Sequence, residues 1–218
     1  LGHCDLSGRL GRKRRSSEWG AAVLNSVART PRLPTPLHSV AVFCGSRFGV
    51  DPVYRAAAAE LGDGIARAGW RLVYGGGRVG LMGVVADAAL AAGGDVLGII
   101  PEFLQRREVA HAGVDRLILT STMHDRKRRM FDAAQAFVTM PGGLGTFDET
   151  IEITTWRQLA LHDKPVLICN VAGWATPYLA MIDAAVTQGF AAPDAARLFQ
   201  VLPDVQAVLQ RLEMVATP

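Results

Sequence analysis

The sequence is poor in cysteine, and this shortage argues against a disulfide-stabilised secreted domain. Three cysteines occur in 218 residues, Cys4, Cys44 and Cys169, and they share no metal-ligand spacing. Cys44 and Cys169 each end a predicted buried strand, so we expect reduced core thiols rather than a disulfide. This pattern fits a protein of the reducing cytoplasm and predicts no metal site.

Long apolar runs are also missing. Gly, Asp or Arg interrupts every run well short of the roughly 18 residues that indicate a membrane span. The basic cluster at residues 12–15 is not followed by the apolar region that a secretory signal requires. We therefore expect no membrane partner.

The folded part of the chain carries no excess of positive charge. The net charge is +3, but residues 1–38 hold seven Lys/Arg against two Asp/Glu, and residues 39–218 hold sixteen against eighteen. A near-neutral body gives no indication of nucleic-acid binding. Residues 1–38 also lack periodicity and end in a proline-rich stretch. We expect a basic, disordered N-terminal extension over 1–38 and one folded domain over 39–218.

Apolar segments alternate with helical patterns from residue 39 onward. Strands are predicted at 40–44, 70–74, 95–100, 116–120, 136–140, 166–169 and 198–201. Helices are predicted at 51–68, 123–134, 177–188 and 204–213, and two more end near residues 92 and 161. Continuously apolar strands that alternate with helices are typical of a parallel sheet covered on both faces. The predicted fold is therefore α/β, a single Rossmann-like doubly wound parallel sheet.

A glycine-rich segment at residues 141–149, PGGLGTFDE, follows the fifth predicted strand. Backbone N–H groups at the start of the next helix would suit a phosphate, with Glu149 one turn further on. The alternative is a structural turn, in which Thr146 and Glu149 form a capping box. This segment by itself does not decide between the two.

A second glycine-rich segment, Gly75-x-Gly77-x-x-Gly80, formally matches the dinucleotide-binding fingerprint. That fingerprint expects an acidic residue at the end of the next strand to bind a ribose. Asp95 has the right distance but precedes its strand, so a nicotinamide cofactor is not expected. We interpret the segment as part of a mononucleotide site; the alternative is a tight turn that merely requires glycine.

A dense charged cluster occupies residues 123–130, directly after the fourth predicted strand. Arg126 and Lys127 fall in the first turn of a helix, where a cation gains nothing from the helix dipole. This placement indicates a bound anion or a carboxylate partner, and Glu149 is the expected partner across the cleft. His124 is left without a role.

Taken together, these segments resemble the "Lonely guy" family of cytokinin riboside 5′-monophosphate phosphoribohydrolases. The resemblance rests on P-G-G-x-G-T-x-x-E at 141–149, M-H-x-R-K-x-x-M at 123–130 and G-G-G-x-x-G-L-M-G at 75–83. It extends over roughly residues 40–213. It implies an enzyme that hydrolyses the N-glycosidic bond of N6-modified adenine riboside 5′-monophosphates, without metal or cofactor, as a homodimer.

Carried over residue by residue, the resemblance implies Arg126 and Glu149 as the catalytic pair. Asp148 and Leu144 depart from the family pattern, in which Glu and an aromatic residue are common. The expected substrate-binding residues are Ser46, Gly76, Gly77, Glu108, Lys127, Gly142, Gly143, Leu144, Gly145, Thr146, Phe147, Asp148 and Thr155.

Two alternative functions remain open at this point. One is a general AMP nucleosidase that does not select for the N6 substituent. The other is a non-catalytic carrier of a nucleotide or of molybdenum cofactor on the same fold. A carrier needs the phosphate loop but not the carboxylate beside it, so the presence of both Arg126 and Glu149 favours an enzyme.

Overall fold

A computed structural model of the protein describes residues 37–105, 110–114 and 116–216. Almost all of the predicted N-terminal extension therefore lies outside the described residues, as does Glu108. Within the described residues, no helix is both long enough and apolar enough to cross a membrane.

The described strands form one seven-stranded sheet in which all pairings are parallel, as predicted. Its order is β4-β3-β2-β1-β5-β6-β7. The strands are β1 (Ser39–Phe43), β2 (Arg71–Tyr74), β3 (Val96–Pro101), β4 (Arg116–Thr120), β5 (Ala136–Thr139), β6 (Val166–Cys169) and β7 (Gln200–Leu202). The chain builds outward from β1 to β4 and then returns to place β5 on the other side of β1. The gap between β1 and β5 is thus the topological switch point, where open α/β sheets bind their ligands.

Helices cover both faces of the sheet. They are α1 (Pro52–Arg67), α2 (Gly80–Ala91), α3 (Met123–Ala133), α4 (Leu144–Gln158), α5 (Thr176–Thr187) and α6 (Val205–Ala216). Helices α1, α2 and α6 contribute to one buried apolar cluster, and α3, α4 and α5 contribute to the other. This arrangement explains the continuously apolar central strands, because β1, β3, β5 and β6 are buried along their whole length.

Local sequence signals set the start of α1. Asp51 is its N-cap, and the carboxylate accepts a hydrogen bond from the Val53 N–H at 2.9 Å. Pro52 occupies the first helical position, where its missing N–H costs nothing. Both predictions for this helix are confirmed.

The end of α4 differs from its prediction. The helix ends at Gln158, not near residue 161, because Ala160 adopts a left-handed conformation with φ of 56°. The Leu161 N–H then bonds back to the Trp156 carbonyl at 2.9 Å, as in a Schellman motif. This position usually holds glycine, so alanine here carries no stop signal that could be recognised from the sequence.

Asp95 lies at the opposite edge of the sheet from the predicted site. It precedes β3 and forms ion pairs with Arg71 at 2.7 Å and Arg116 at 3.8 Å. Both partners begin strands, so this cluster marks the amino-terminal edge. The prediction that Asp95 cannot bind a ribose at the carboxyl edge is confirmed.

His162 is a half-buried histidine that contributes to the fold. Its Nε2 lies 2.9 Å from the Ile153 carbonyl, and its ring meets Phe131 and Phe137 edge-on. Burial lowers the pKa of His162 below its usual value, and the positive charges of Arg157 and Lys164 lower it further, against the opposing hydrogen bond to Ile153. The folded state therefore binds a proton less readily than the unfolded chain.

This depressed pKa predicts a loss of stability in acid. The contribution is complete above the unfolded pKa of about 6.5 and is lost as the pH falls below it, because the unfolded chain takes up the proton first. The melting temperature of the parent protein should fall between pH 8 and pH 5 more steeply than that of His162→Gln. His38→Gln, which removes an exposed imidazole, is the matched control variant. Equal slopes in the parent and His162→Gln would contradict the prediction.

Candidate active site

A pocket of about 200 Å³ opens at the carboxyl ends of β1, β2 and β5, at the switch point of the sheet. Its wall combines bare backbone, two buried charged groups and several apolar side chains. The lining residues are Val42, Cys44, Gly45, Ser46, Gly75, Met82, Leu104, Met123, Arg126, Gly143, Leu144, Gly145, Thr146 and Glu149.

The floor of the pocket is a backbone contact between the loops that follow β1 and β5. The Gly45 N–H donates to the Pro141 carbonyl at 2.9 Å. A Cβ at Gly45 would lie 3.1 Å from the Gly142 Cα, and a Cβ at Gly142 would lie 2.8 Å from the Gly45 N and collide with Thr146 Oγ1. Because the two main chains pass this close, Gly142 cannot carry a Cβ without a shift of its neighbours, and Gly45 leaves little room for one.

Helix α4 presents an uncapped N-terminus to the pocket. Its N-cap is Gly143, which has no side chain that could accept a hydrogen bond from the helix. The Phe147 N–H donates to the Gly143 carbonyl at 3.1 Å, and this is the first hydrogen bond of the helix. The N–H groups of Leu144, Gly145 and Thr146 precede that bond and line the pocket. Such a terminus binds anions through its N–H groups and its dipole. The capping-box interpretation is wrong, because Thr146 lies inside the helix and not at its N-cap.

Arg126 of α3 and Glu149 of α4 face each other across the pocket. The exposed fractions are 4% for Arg126 and 8% for Glu149. Arg126 Nη2 lies 3.9 Å from Glu149 Oε1 and donates to the Gly75 carbonyl at 3.3 Å. Arg126 Nε is buried and finds no hydrogen-bond partner among the described residues. A buried guanidinium with an unused donor is suited to a polar or anionic ligand.

Cys44 adds a thiol to the wall but no nucleophile. Burial raises the pKa of the Cys44 thiol well above its usual value, the negative charge of Glu149 raises it further, and Arg126 opposes both. The thiolate is the reactive form of cysteine, so the protonated thiol acts here as a small apolar group.

The glycine-rich segment before α2 contributes Gly75 to the pocket, but the start of α2 itself is bonded to the loop after β1. The Gly45 carbonyl accepts from the N–H groups of Leu81 and Met82, at 2.9 and 3.3 Å, so the start of α2 is already satisfied. Gly80 has φ of 61°, and a Cβ there would collide with the Arg47 backbone. A tight turn therefore requires glycine at Gly80, while the role of the segment in a mononucleotide site stays a prediction.

Several predicted binding residues lie elsewhere. The Gly76 carbonyl accepts from the His111 N–H at 3.1 Å, and Gly77 forms a bridge with Ala110, so neither glycine lines the pocket. Gly142 packs beneath the loop. The Phe147 ring stacks on Trp174 and Tyr178 in the core.

Lys127 forms ion pairs that connect α3 to α4. Its Nζ lies 3.0 Å from Asp148 Oδ2 and 2.9 Å from Glu152 Oε2. Burial would lower the pKa of Lys127, but the hydrogen bonds to Glu152 and Asp148 outweigh it and raise the pKa above its usual value. Lys127 and Asp148 therefore hold the two helices together beside the pocket and do not line it.

Thr155 lies on another face of α4, six residues after Glu149. It lines an apolar groove between α4 and α5. Thr155 does not line the pocket of its own chain, and its predicted contact with the nucleotide stays a prediction.

Half of the residues in the pocket wall are not among the predicted site residues. Cys44 and Gly45 follow the central strand, and Gly75 follows its neighbour; their position at strand ends was the available signal. No such signal marks Leu104, Met82 or Met123, because an apolar residue in a loop or helix is usually interpreted as part of the core. No group of three His, Cys, Asp or Glu residues in the described part of the chain could hold a metal ion.

The fold and the pocket define a Rossmann-like α/β protein with an anion-binding helix terminus at its switch point. The chain belongs to the family described as "Possible lysine decarboxylase", whose model matches residues 82–212.

Curated relatives carry a more specific name. The cytokinin riboside 5′-monophosphate phosphoribohydrolase LOG of Oryza sativa subsp. japonica is 44% identical over 174 residues, which is 80% of this chain and 72% of the relative. LOG2 of Arabidopsis thaliana, of the same name, is also 44% identical, over 80% of this chain and 82% of the relative. The resemblance predicted from the motifs is confirmed.

Solved structures share the fold. The Moco carrier protein from Chlamydomonas reinhardtii has a TM-score of 0.60 at 24% identity, over 82% of this chain and 97% of that one. The molybdenum cofactor binding protein from Rippkaea orientalis has a TM-score of 0.62 at 19% identity, over 85% and 99%. These similarities confirm the predicted fold class.

The lysines do not suit the decarboxylase description. Within the described residues lysine occurs at Lys127 and Lys164, and neither lines the pocket. Lys164 Nζ donates to the Phe131 carbonyl at 2.7 Å and lies over the Phe131 ring. Burial lowers the pKa of Lys164, but its amine is directed into the protein. Neither amine is placed to form an imine with a ligand in the pocket.

We expect an added methyl group to change the free energy of unfolding differently at Gly142 and at Gly145. Gly142→Ala should lower the free energy of unfolding by about 1–3 kcal/mol, because its Cβ overpacks against Thr146 and Gly45. Gly145→Ala should leave it unchanged or raise it by up to about 1 kcal/mol, because alanine favours the helix and its Cβ meets nothing within 4 Å. Urea denaturation measures both, and a destabilised Gly145→Ala would contradict this account of the loop.

Proposed function

We propose that this protein hydrolyses the N-glycosidic bond of cytokinin riboside 5′-monophosphates, releasing an N6-modified adenine and ribose 5-phosphate. The observation that carries the proposal is the buried pair Arg126–Glu149 beside the open N-terminus of α4. The names of the relatives with 44% identity support the same reaction and substrate class.

The 5′-phosphate would bind at the start of α4. The N–H groups of Leu144, Gly145 and Thr146 and the helix dipole supply a positive field there without a cation. Glu149 follows five residues after Leu144, about 7.5 Å along the helix axis. That spacing suits a nucleotide whose phosphate lies at the helix terminus and whose anomeric carbon faces the carboxylate.

Glu149 would act where positive charge develops. Cleavage of a glycosidic bond passes through an oxocarbenium-like state, which a carboxylate stabilises. The same carboxylate can orient the attacking water and accept its proton. Arg126 would orient Glu149 and the substrate by charge-assisted hydrogen bonds, for which its Nε remains available.

The two alternatives make different demands on the site. A general AMP nucleosidase would use the same pair without selecting for the N6 substituent. A carrier like the structural neighbours would need only the phosphate terminus. Burial of Arg126 and Glu149 together is costly for the fold, and a carrier gains nothing from it, so the site favours an enzyme.

Hydrolysis assays with AMP and isopentenyladenosine 5′-monophosphate test the proposal. The protein should release base faster from the N6-modified nucleotide. Glu149→Gln should lower kcat by about a hundredfold or more, because it removes the charge that stabilises the transition state, and nucleotide binding should remain measurable by calorimetry. Glu60→Gln, the same change at an exposed position of α1 and outside the pocket, should retain kcat within about threefold.

Each result discriminates between the functions. Release of base from neither nucleotide would contradict the enzyme and favour a carrier. Equal rates on both nucleotides would indicate a general nucleosidase. A fully active Glu149→Gln would remove the role proposed for that carboxylate.

We also propose that the protein acts as a homodimer through the groove between α4 and α5. The groove has a volume of about 240 Å³ and is lined mainly by apolar groups, including Ile151, Met181 and Phe199. Exposed Leu159, Leu161 and Phe190 extend the apolar surface around it. The position of Thr155 also supports a dimer. Thr155 lies away from the pocket of its own chain, so it could contact a nucleotide only in the pocket of a second copy. A reducing, cytoplasmic setting is part of the proposal, supported by the free buried thiols of Cys44 and Cys169.

Light scattering after size exclusion tests the dimer. The parent protein should elute at twice the chain mass, and Met181→Asp should elute as a monomer because a charge in the apolar groove cannot be buried without a partner. Met214→Asp is the matched control: its side chain is 63% exposed against 56% for Met181, and it lies on α6, away from the groove. A dimeric Met181→Asp would place the interface elsewhere.

A further inference from the structure

Three Asp, Glu, Lys, Arg or His residues are buried in the described part of the chain: His111, Arg126 and Glu149. The proposed reaction uses the last two. His111 is 4% exposed, lies outside the pocket and has no part in the chemistry described above.

Both ring nitrogens of His111 are engaged. Nδ1 accepts from the Gly113 N–H at 3.2 Å, and Nε2 lies 3.0 Å from Asp87 Oδ1. A nitrogen that accepts carries no proton, so in the neutral ring the proton is on Nε2 and is donated to Asp87. The ring therefore connects residues 110–114 to helix α2.

The main chain of the same segment holds the loop between β2 and α2. The His111 N–H donates to the Gly76 carbonyl at 3.1 Å, and Ala110 forms an antiparallel bridge with Gly77. The His111 ring and backbone thus fix the loop from one side while Asp87 fixes the ring from α2.

This loop orients Arg126. The Gly75 carbonyl, one residue before the carbonyl that His111 binds, accepts from Arg126 Nη2 at 3.3 Å. A Cβ at Gly75 would collide with Arg126 Nη2, so the guanidinium packs directly on the backbone of the loop. A displacement of the loop would move the guanidinium and, through it, the partner of Glu149.

We propose that His111, oriented by Asp87, is a positioning residue for the reaction. It holds the Gly75–Gly76 backbone so that Arg126 faces Glu149 in the geometry that hydrolysis requires. The role of His111 rests on the proposed function, since it is defined by the rate of that reaction. It involves no proton transfer to the substrate, because the ring does not reach the pocket.

Steady-state kinetics with isopentenyladenosine 5′-monophosphate test this role in His111→Asn, His111→Gln and Asp87→Ala. His111→Asn can keep an acceptor for the Gly113 N–H but loses the hydrogen bond to Asp87. His111→Gln keeps a donor near Asp87. Asp87→Ala removes the acceptor, at an exposed site. His111→Asn and Asp87→Ala should each lower kcat about tenfold or more, because small misplacements of catalytic groups are costly, and KM should change much less. His111→Gln should recover most of the rate.

The double variant His111→Asn/Asp87→Ala should be no slower than either single variant, because both remove one connection. Asp63→Ala, which breaks an exposed ion pair with Arg67 on α1, is the matched control and should retain the parent kcat. A kcat within about twofold of the parent in Asp87→Ala, or multiplicative losses in the double variant, would overturn the proposal.

Hydrogen exchange separates this inference from the proposed function. If the parent protein releases no base from either nucleotide, the proposed function has failed, and the amides of residues 75–83 decide the positioning role. Faster exchange there in Asp87→Ala than in Asp63→Ala supports the role of His111 in holding the loop. Identical exchange in the two variants would overturn it.

Discussion

The close approach of two main chains at the switch point is the constraint on which the rest of the site depends. Gly45 after β1 and Gly142 after β5 pass each other with no room for a side chain, and the Gly45 N–H is bonded to the Pro141 carbonyl. This contact places the N-terminus of α4 directly over the end of β1. It also directs the Gly45 carbonyl toward α2, where this carbonyl accepts hydrogen bonds from the Leu81 and Met82 N–H groups.

The second constraint is electrostatic. Arg126 and Glu149 are buried at a separation of 3.9 Å, longer than a direct hydrogen bond, and neighbouring groups hold them there. Lys127 ties α3 to α4 through Asp148 and Glu152, and Gly75 supports the guanidinium from β2. A buried charge pair of this kind is weak evidence for stability, and its cost is understandable where the two charges serve a ligand.

Much of the architecture could be predicted, because helix and strand signals are local. The alternation of apolar segments and helices, the Asp51-Pro52 start of α1 and the misplaced Asp95 all follow from short-range rules and are confirmed. The motifs pointed to the pocket through Arg126, Glu149 and the loop at 143–146. They did not reveal Leu104 or Val42, since an apolar side chain in a strand or loop gives no local sign that distinguishes a pocket wall from a core.

The sequence by itself determined that glycine-rich turns would follow the second and fifth strands and that each would open a helix. It could not determine which helix would keep its N–H groups free. Only the tertiary structure decided that, by placing the carbonyl of Gly45 against Leu81 and Met82 at α2 and leaving α4 open. The reason is physical: an N-terminus becomes an anion site when no other acceptor reaches it, and Gly45 is 36 and 37 residues distant in sequence from the two groups it satisfies.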